Sequence, residues 1–236
     1  MRTLITICAR GGSKGIRGKN IKLMGNRPLI AYTIEIANAF AQKYGSDISL
    51  STEDIEIKRI AENYGLSTEY HRPDNLATDD SGKMAVIQDL LVYEESNRKI
   101  KYDYILDLDV SSPLRNLVDL SDALQLILND SMALNLFSVN PASRNPYFNM
   151  VEQQKNGYYG LIKEGIFLTR QSSPKVYDLN ASFYFFKRKF FEGDYSIIND
   201  RSMIYIMPHI CFDLDHPIDF DFMEYLLINN KLGFDL

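Results

Sequence analysis

A short segment near the start of the chain combines glycines with basic residues in a pattern suited to binding phosphate. It extends from Ala9 to Asn20 and reads Ala-Arg-Gly-Gly-Ser-Lys-Gly-Ile-Arg-Gly-Lys-Asn. Glycines let a backbone bend close to a ligand and turn its N–H groups inward, and the charges of Arg10, Lys14 and Lys19 can bridge phosphate oxygens. The segment is neither a Walker A loop nor a dinucleotide-binding G-x-G-x-x-G loop. It predicts an anion site, the alternative being a basic surface loop.

A second chemical feature is the pair of acids Asp213 and Asp215 late in the chain. In an extended segment, residues two apart project from the same face, so both carboxylates can point at one cation. Hard oxygen ligands suit Mg²⁺, or Mn²⁺ in its place, and Mg²⁺ typically binds through one or two carboxylates together with substrate phosphates. The pair also fits a simpler explanation, a capped turn before the helix expected from Ile218.

The charges are distributed unevenly along the chain. A formal net charge of -5 argues against a general nucleic-acid binder. From Met1 to Ile34 there are basic residues and no acid, whereas from Asp213 onward acids dominate. Two solvated faces of opposite sign would produce this pattern. So would an anion site and a cation site that folding brings together.

Length and composition indicate one α/β domain over residues 1–236, with 45% hydrophobic and 24% charged residues. The apolar run Leu4–Ala9 is too short for a signal peptide or a membrane span. Cys8 and Cys211 both lie in apolar runs, which is typical of buried thiols in a reducing compartment. We therefore expect a cytoplasmic protein that does not act at a membrane.

The elements that must position these residues alternate between short apolar runs and helical patterns. This alternation is typical of βαβ units and a mainly parallel sheet flanked by helices. The predicted strands are Leu4–Ala9, Asp47–Ser51, Ser67–Tyr70, Tyr104–Val110, Leu134–Val139, Asn180–Phe186 and Met203–Met207. The first predicted helix begins at Pro28, and the later ones cover Asp54–Tyr64, Lys83–Glu95, Leu117–Leu128 and Ile218–Ile228.

Ligands of such sheets bind beyond the carboxyl ends of the strands. The segments that follow the first, second, third and fourth predicted strands should therefore share one rim. They are residues 10–19, 52–54, 72–80 and 109–115.

The first loop resembles the signature of the acylneuraminate cytidylyltransferases, the CMP-sialate synthetases. Matches in order and spacing are Arg10, Ser13, Lys14, Gly15, Lys19 and Asn20. The resemblance covers nearly the whole chain and continues at Ser51–Asp54, Arg72-Pro73, Leu76–Ser81, Ser111–Arg115 and Phe212–Asp215. Within this family, the chain most resembles the bacterial enzymes that act on legionaminic acid. The resemblance implies a Rossmann-like nucleotidyltransferase fold.

The resemblance also implies a role for each matched residue. Catalysis would depend on Arg10, Lys14, Lys19, Asp213 and Asp215, with the two acids holding Mg²⁺. The nucleotide would be bound by Ala9, Arg10, Gly11, Gly12, Ser13, Lys14, Lys19, Asn20, Arg72, Asp79 and Ser81. The acceptor sugar would be bound by Asp109, Ser111, Arg115, Arg170, Gln171, Asp178 and Asn180.

Two acids depart from the family pattern near the expected sugar pocket. Asp109 stands where the sialate enzymes have a Gln that reads the acceptor, and Asp178 stands where some of them have an Arg. An ionised carboxylate accepts hydrogen bonds but cannot donate them. An acceptor with a second acylated amine offers matching N–H donors. We therefore expect legionaminic acid or N,N'-diacetyllegionaminic acid, with N-acetylneuraminic acid next.

The segment 140–178 breaks the regular alternation. Turns at Asn140-Pro141 and Asn156-Gly157 predict short hairpins outside the main sheet. The corresponding region of the family is an arm through which two copies form a dimer and close each other's sugar pocket. The resemblance therefore implies a homodimer.

The implied reaction is nucleotidyl transfer. The anomeric hydroxyl of the acidic sugar attacks the α-phosphorus of CTP, and pyrophosphate leaves. No dedicated general base is evident, since His71, His209 and His216 all fit structural or surface positions; His216 adjoins the acid pair. One alternative is activation of another sugar, an octulosonate or a hexose phosphate. Another is a non-catalytic nucleotide-sensing module.

Overall fold

The computed structural model describes residues 1–12, 15–234 and 236. The strands are β1 (Thr3–Cys8), β2 (Leu23–Met24), β3 (Arg27–Pro28), β4 (Asp47–Ser51), β5 (Tyr104–Leu108), β6 (Asn135–Pro141), β7 (Val151–Gln153), β8 (Tyr159–Leu161), β9 (Tyr177–Lys187) and β10 (Ser202–Ile206). The α-helices are α1 (Leu29–Tyr44), α2 (Ile55–Asn63), α3 (Lys83–Arg98), α4 (Leu117–Asn129) and α5 (Pro217–Ile228). Short 3₁₀ helices cover Lys19–Ile21, Asp74–Leu76, Arg170–Ser172 and Arg188–Glu192.

The main sheet has the strand order β10-β6-β9-β5-β1-β4. Strand β1 pairs in parallel with β4 and β5, and β10 pairs in parallel with β6. Strand β9 runs antiparallel between β5 and β6 and joins the two parallel parts. The predicted α/β fold with a mainly parallel sheet is confirmed.

Helices cover both faces of this sheet, as the run of buried residues in β1 requires. Ile5 and Ile7 pack in one cluster with residues of α1, α2 and α4. Leu4 points the other way and packs with Ile87 and Leu91 of α3. The sheet is therefore the middle of three layers, and its strand ends are left to shape a site. Among the described residues, no helix is both long and apolar enough to cross a membrane.

The predicted strand Ser67–Tyr70 is wrong. Strand β4 is the edge of the sheet, and these residues do not pair with it. Tyr70 is buried, and its backbone is satisfied locally: its N–H donates to Thr68 Oγ1, and its carbonyl accepts from Lys58 Nζ at 2.7 Å. The apolar residues that suggested a strand therefore reflect burial of Leu66 and Tyr70 against the core rather than sheet pairing.

The segment 140–178 contains the predicted hairpin. Strands β7 and β8 pair with each other in a separate two-stranded sheet. Gly157, with φ at +84°, occupies the left-handed conformation that the turn needs. The base of the segment continues the ladder of the main sheet, where Pro141 pairs with Tyr177. We call residues 140–178 the arm.

Candidate active site

The segments that follow β1 and β5 meet residues 72–86 and the segment after β10 around a cleft of about 410 Å³. It lies at the carboxyl edge of the parallel strands, where the sequence predicted a shared rim. The predicted site residues that line it are Arg10, Lys19, Asn20, Arg72, Asp79, Ser81, Asp109, Ser111 and Asp215.

The first loop is held by a hydrogen bond within itself and by contacts with the acidic segment late in the chain. The Asn20 side chain donates to the Arg10 carbonyl at 2.9 Å and closes the loop on itself. Lys19 Nζ donates to the Leu214 carbonyl at 2.8 Å and lies 3.5 Å from Asp215 Oδ1. Because a lysine ammonium has three donors, Lys19 bridges the basic loop and the acidic segment.

Gly15 shows how close these two segments come. A Cβ atom at this position would lie 2.3 Å from the backbone oxygen of Asp215, so only glycine permits the approach. The folding therefore does bring the basic loop against the acid pair. Ser13 and Lys14, which were predicted to bind the nucleotide, lie outside the described residues.

Two backbone N–H groups of the loop donate hydrogen bonds within the protein. The N–H of Ala9 donates to the Ser51 carbonyl at 3.0 Å, and the N–H of Gly11 donates to Glu53 Oε1 at 2.7 Å. Gly12 is exposed and does not line the cleft. These contacts shape the loop, and the predicted direct nucleotide contacts of these three residues stay predictions.

One part of the cleft lining pairs the first loop with the segment that follows Arg72. Arg10 Nη1 lies 2.6 Å from Asp79 Oδ1, and both side chains are about a third exposed, at 32% and 36%. Ser81 Oγ donates to the Asn75 carbonyl at 2.9 Å. The fold therefore places Arg10, Asp79 and Ser81 along one wall.

Arg72 is much more buried than an exposed loop arginine, at 3% exposure. Its Nε donates to Ser51 Oγ at 2.9 Å, its Nη2 donates to the Ser51 carbonyl at 2.7 Å, and its Nη1 lies 3.8 Å from Glu53 Oε2. The guanidinium is thus fixed against the end of β4 while it still lines the cleft. A planar group held in this way is suited to a directional contact with a base.

Another part of the cleft lining carries an ionic cluster. Lys83 Nζ lies 2.9 Å from Asp107 Oδ2 and 2.8 Å from Asp109 Oδ2. Burial acts to lower the pKa of Lys83, but the charges of the two carboxylates outweigh it and hold that pKa well above its usual value. Burial acts to raise the pKa of Asp109, whereas Lys83 and the hydrogen bonds from Ser111 lower it to about 2. Asp109 is therefore a fully ionised carboxylate inside an ion pair.

Lys83 and Asp107 were missed by the sequence analysis, although signals for both exist. Asp107 interrupts a strand whose other residues are buried, and a buried carboxylate requires a partner. Lys83 is the first residue of α3, where the helix dipole disfavours a cation. A lysine at such a position indicates a nearby acid.

Arg115, predicted to contact the sugar directly, is buried and does not line the cleft. It is 1% exposed, and burial lowers its pKa to about 10. Its Nη1 donates to the carbonyls of Asp109, Ser112 and Ser182 at 2.7–2.9 Å, and its Nη2 donates to Thr33 Oγ1 at 2.9 Å. These bonds hold the turn after β5 in shape from below, and the predicted sugar contact of Arg115 stays a prediction.

Asn180 is bonded within the protein in a similar way, and its predicted sugar contact also stays a prediction. It is 5% exposed, its Oδ1 accepts from Ser138 Oγ at 2.6 Å, and its Nδ2 donates to Asn140 Oδ1 at 2.5 Å. Its side chain is used in joining β6 to β9. It does not line the cleft.

The predicted sugar-binding residues of the arm do not line the cleft of their own chain. Arg170, Gln171 and Asp178 are all exposed. Arg170 Nη2 donates to the carbonyls of Ala142 and Ser143 at the base of the arm. The cleft of one chain is therefore lined without these three residues.

The acid pair has the properties of an incomplete cation site. Asp213 Oδ1 is buried and has no hydrogen-bond partner among the described residues. Burial, reinforced by the negative charges of Asp109 and Asp215, raises the pKa of Asp213 to about 7, although Lys83 and Lys19 act in the other direction. The segment is not a strand. Leu214, between the two acids, is nevertheless fully buried, so the side chains of Asp213, Leu214 and Asp215 still alternate in direction as they would in a strand.

This donor set fits Mg²⁺ bound together with a phosphate ligand. Within residues 1–12, 15–234 and 236, no three His, Cys, Asp or Glu side chains are grouped so as to hold a metal by themselves. Mg²⁺ uses one or two carboxylates and takes its remaining ligands from water and substrate phosphates. Asp213 and Asp215 would hold the ion, and it would neutralise the unpaired buried charge of Asp213.

The histidines supply no base in the cleft. His209 Nε2 lies 2.9 Å from Asp119 Oδ2 and is a structural residue. His71 and His216 are exposed, and none of the three lines the cleft. The prediction that they are structural or surface residues agrees with these positions.

Comparison with known proteins agrees with this geometry. Residues 4–232 match the family described as "Cytidylyltransferase". The CMP-N,N'-diacetyllegionaminic acid synthase of Campylobacter jejuni subsp. jejuni serotype O:2 is 40% identical over 231 residues, which are 98% of this chain and 97% of that protein. The pseudaminic acid cytidylyltransferase of Campylobacter jejuni subsp. jejuni serotype O:23/36 is 30% identical over 240 residues, 99% of this chain and 100% of that protein.

A solved structure supports the fold. The CMP:2-keto-3-deoxy-manno-octonic acid synthetase complexed with CTP superposes with a TM-score of 0.69 at 14% identity, covering 98% of this chain and 100% of that one. The family match and the two relatives extend over nearly the whole chain, as does the structural likeness. The chain therefore belongs to the cytidylyltransferase family and is an enzyme of that class.

Proposed function

We propose that this cytidylyltransferase transfers CMP from CTP to the anomeric hydroxyl of a nonulosonic acid, a nine-carbon acidic sugar, and releases pyrophosphate. The observation that carries the proposal is the contact of the basic first loop with Asp215 of the acid pair at one cleft. Arg10 and Lys19 line this cleft, and Gly15 lies against Asp215. Such a site suits a substrate with a polyphosphate and a bound cation.

The residues of the chain act mainly by alignment and charge neutralisation, as is general for transfer of phosphoryl-type groups. Arg10 and Lys19, with Lys14 in the same loop, would stabilise the triphosphate and the leaving pyrophosphate. Asp213 and Asp215 would hold Mg²⁺, or Mn²⁺ in its place. The ion would supply Lewis-acid stabilisation of the phosphate charge and would lower the pKa of a coordinated hydroxyl. Arg72 would contact the cytosine base.

For the acceptor we favour legionaminic acid or N,N'-diacetyllegionaminic acid, with N-acetylneuraminic acid next. The relative that is 40% identical is named for N,N'-diacetyllegionaminic acid and the one that is 30% identical for pseudaminic acid. Asp109 stands on the acceptor wall, and its ionised state provides hydrogen-bond acceptors. This combination supports a diamino nonulosonic acid.

The test is a pyrophosphate-release assay that crosses four nucleoside triphosphates with a panel of acceptors. The panel contains legionaminic, N,N'-diacetyllegionaminic, pseudaminic and N-acetylneuraminic acids and an eight-carbon octulosonate. We expect turnover with CTP and the highest kcat/KM with a legionaminic acid. A strong preference for N-acetylneuraminic acid would overturn the preferred acceptor. Turnover with the octulosonate alone would overturn the nine-carbon class.

We also propose that the arm forms a homodimer and that the enzyme is cytoplasmic. Ile166 and Leu168 in the arm are 96% and 88% exposed, which is unusual for large apolar side chains. A second copy would cover them and would bring Arg170, Gln171 and Asp178 toward the neighbouring cleft. This arrangement accounts for sugar-binding residues that lie outside the cleft of their own chain.

A further inference from the structure

The acceptor wall of the cleft is built around Lys83. Its ammonium is held between Asp107 and Asp109 at 2.9 and 2.8 Å. Asp107 is completely buried in β5, and its other oxygen accepts from Thr6 Oγ1 at 2.8 Å. The Lys83 side chain is 25% exposed and lines the cleft, so it belongs both to the core and to the site.

The ammonium has an aromatic wall on one side. Lys83 Nζ lies 4.6 Å from the centre of the Tyr184 ring, within the range of a cation–π contact. Two carboxylates and one ring therefore fix the cation from the protein side. Only the side toward the cleft is left for a substrate.

Lys83 also determines which oxygen atoms of Asp109 are available. Asp109 Oδ1 accepts from the backbone N–H and the hydroxyl of Ser111, at 2.8 and 2.7 Å, and Oδ2 accepts from Lys83. A carboxylate offers about four acceptor positions, so about one remains. The acceptor wall presents an ammonium–carboxylate pair to the sugar, not a bare carboxylate.

The charge balance of this wall matters because both substrates are anions. Without Lys83, the negative charges of Asp109 in the cleft and of Asp107 buried next to it would act uncompensated on an acceptor that carries its own carboxylate. Like charges a few ångströms apart in a partly buried site repel strongly. The turn that begins at Ser111 would lose its fixed hydrogen-bond acceptor as Asp109 moved.

We propose that Lys83 is a positioning residue for the acceptor sugar, which it serves by fixing Asp109 and by cancelling negative charge where the sugar binds. This inference rests on the proposed function and deepens it. Nothing in the family pattern or in the names of the relatives assigns a role to this lysine. Its effect is expected on the acceptor and not on CTP, whose wall is formed by Arg10, Arg72 and Asp79.

The experiment compares Lys83→Met with the double variant Lys83→Met/Asp107→Asn. The single change leaves two carboxylates without their cation. The double change removes the buried charge of Asp107, and the new amide oxygen still accepts from Thr6. Asp109 stays without its ammonium in both. Lys101→Met is the matched control, because Lys101 pairs with the buried Glu95 at 2.6 Å but is 74% exposed and does not line the cleft.

Steady-state kinetics and the CTP-induced shift in melting temperature are measured for each variant. We expect Lys83→Met to lower kcat/KM for the acceptor by about 30-fold, in line with one lost interaction between close charges. The double variant should lower it by about 10-fold, because it restores the net charge of the cluster but not the ammonium that fixes Asp109. The KM for CTP and the CTP-induced shift should stay within about threefold and about 2 °C of wild type. Lys101→Met should change neither.

The double variant separates positioning from simple neutralisation of Asp107. Recovery of wild-type kcat/KM for the acceptor in Lys83→Met/Asp107→Asn would overturn the proposal, because Lys83 would then be only the counter-ion of a buried acid. An equal loss toward CTP and acceptor would overturn it as well. Failure of the wild-type enzyme to use any nonulosonic acid would instead overturn the proposed function.

Discussion

The cleft and the arm differ in whether their exposed side chains have partners in the same chain. In the cleft, charged side chains are tied to partners in the same chain: Arg10 pairs with Asp79, and Lys83 pairs with Asp109. In the arm, the hairpin pairs only with itself, and large apolar residues such as Ile166 face solvent at 96% exposure. The cleft is preorganised by one chain, whereas the arm has a surface that its own chain does not cover.

This difference has a physical origin in the sheet. The cleft is formed by segments that leave the carboxyl ends of buried strands, so the position of each is fixed by core packing. The arm leaves the sheet where the β6–β9 ladder ends and has little core beneath it. Changes in the cleft should therefore alter chemistry without altering assembly, and changes at the arm tip should do the reverse.

The largest effect is expected at the acid pair. Asp213→Asn or Asp215→Asn should lower kcat by about 1,000-fold, since each removes a carboxylate that would hold the cation. The melting temperature should stay within about 3 °C of wild type, because Asp213→Asn removes a partly buried charge whose Oδ1 has no hydrogen-bond partner among the described residues. Pyrophosphate release at saturating Mg²⁺ and thermal unfolding are the measurements.

Asp221→Asn is the matched control for that experiment. Asp221 is an exposed acid on α5, the helix that follows the pair, and it does not line the cleft. Its rate should equal that of wild type. Near-normal rates in both the Asp213 and Asp215 variants would contradict the assignment of these acids as cation ligands. They would also contradict the expectation that changes in the cleft alter chemistry.

The same contrast explains what could be predicted from the sequence. Each motif of the cleft is contiguous along the chain, and the predicted first and fourth strands placed residues 10–19 and 109–115 at one rim. Residues 52–54, predicted at the same rim, do not line the cleft. Local sequence does not distinguish a residue that faces the cleft from one that supports it from below. Arg115 and Asn180 were predicted to touch the sugar, and both are buried in hydrogen bonds to the protein.

Long-range ion pairs were the other limit. Lys83 and Asp107 are 24 positions apart, and only the packing of α3 on the main sheet brings their charges to 2.9 Å. The false strand Ser67–Tyr70 has a related cause, because buried apolar residues give the same local pattern whether or not a neighbouring strand is present. Local sequence indicates burial, while the partner depends on tertiary structure.

The next effect concerns the arm. Ile166→Asp/Leu168→Asp should convert a homodimer into a monomer in sedimentation velocity, because it places two charges on apolar side chains that are 96% and 88% exposed. The CTP-induced shift in melting temperature should be unchanged, since neither residue lines the cleft. Ile55→Asp, at an apolar residue with 82% exposure on α2, is the control and should leave the assembly unaltered. A wild-type protein that sediments only as a monomer would contradict the assembly role of the arm.

The smallest effect lies at the junction between the two regions. The His209 carbonyl accepts from Asn140 Nδ2 at the base of the arm, and two residues later Cys211 begins the segment that carries the acids. The His209 ring lies between two acceptors, Asp119 Oδ2 at 2.9 Å and the Ile210 carbonyl at 3.0 Å. Burial acts to lower the pKa of His209, but these hydrogen bonds outweigh it and raise that pKa above its usual value.

A histidine whose pKa is raised by folding stabilises the protein fully below the unfolded pKa of about 6.5. The stabilisation is lost as the pH rises through the higher folded value. His209→Gln should therefore lower the free energy of unfolding by about 1 kcal/mol at pH 5.5 and by less at pH 9. Asp213, whose pKa is raised to about 7, adds a pH dependence of the same sign to the free energy of unfolding of wild type and of His209→Gln. The difference between the two proteins therefore isolates His209.

Urea unfolding at the two pH values measures this difference. His71→Gln, at an exposed histidine, is the control and should follow wild type at both pH values. An equal loss at both pH values would show that the ring contributes packing against Phe234, 3.8 Å away between ring centres, and not charge.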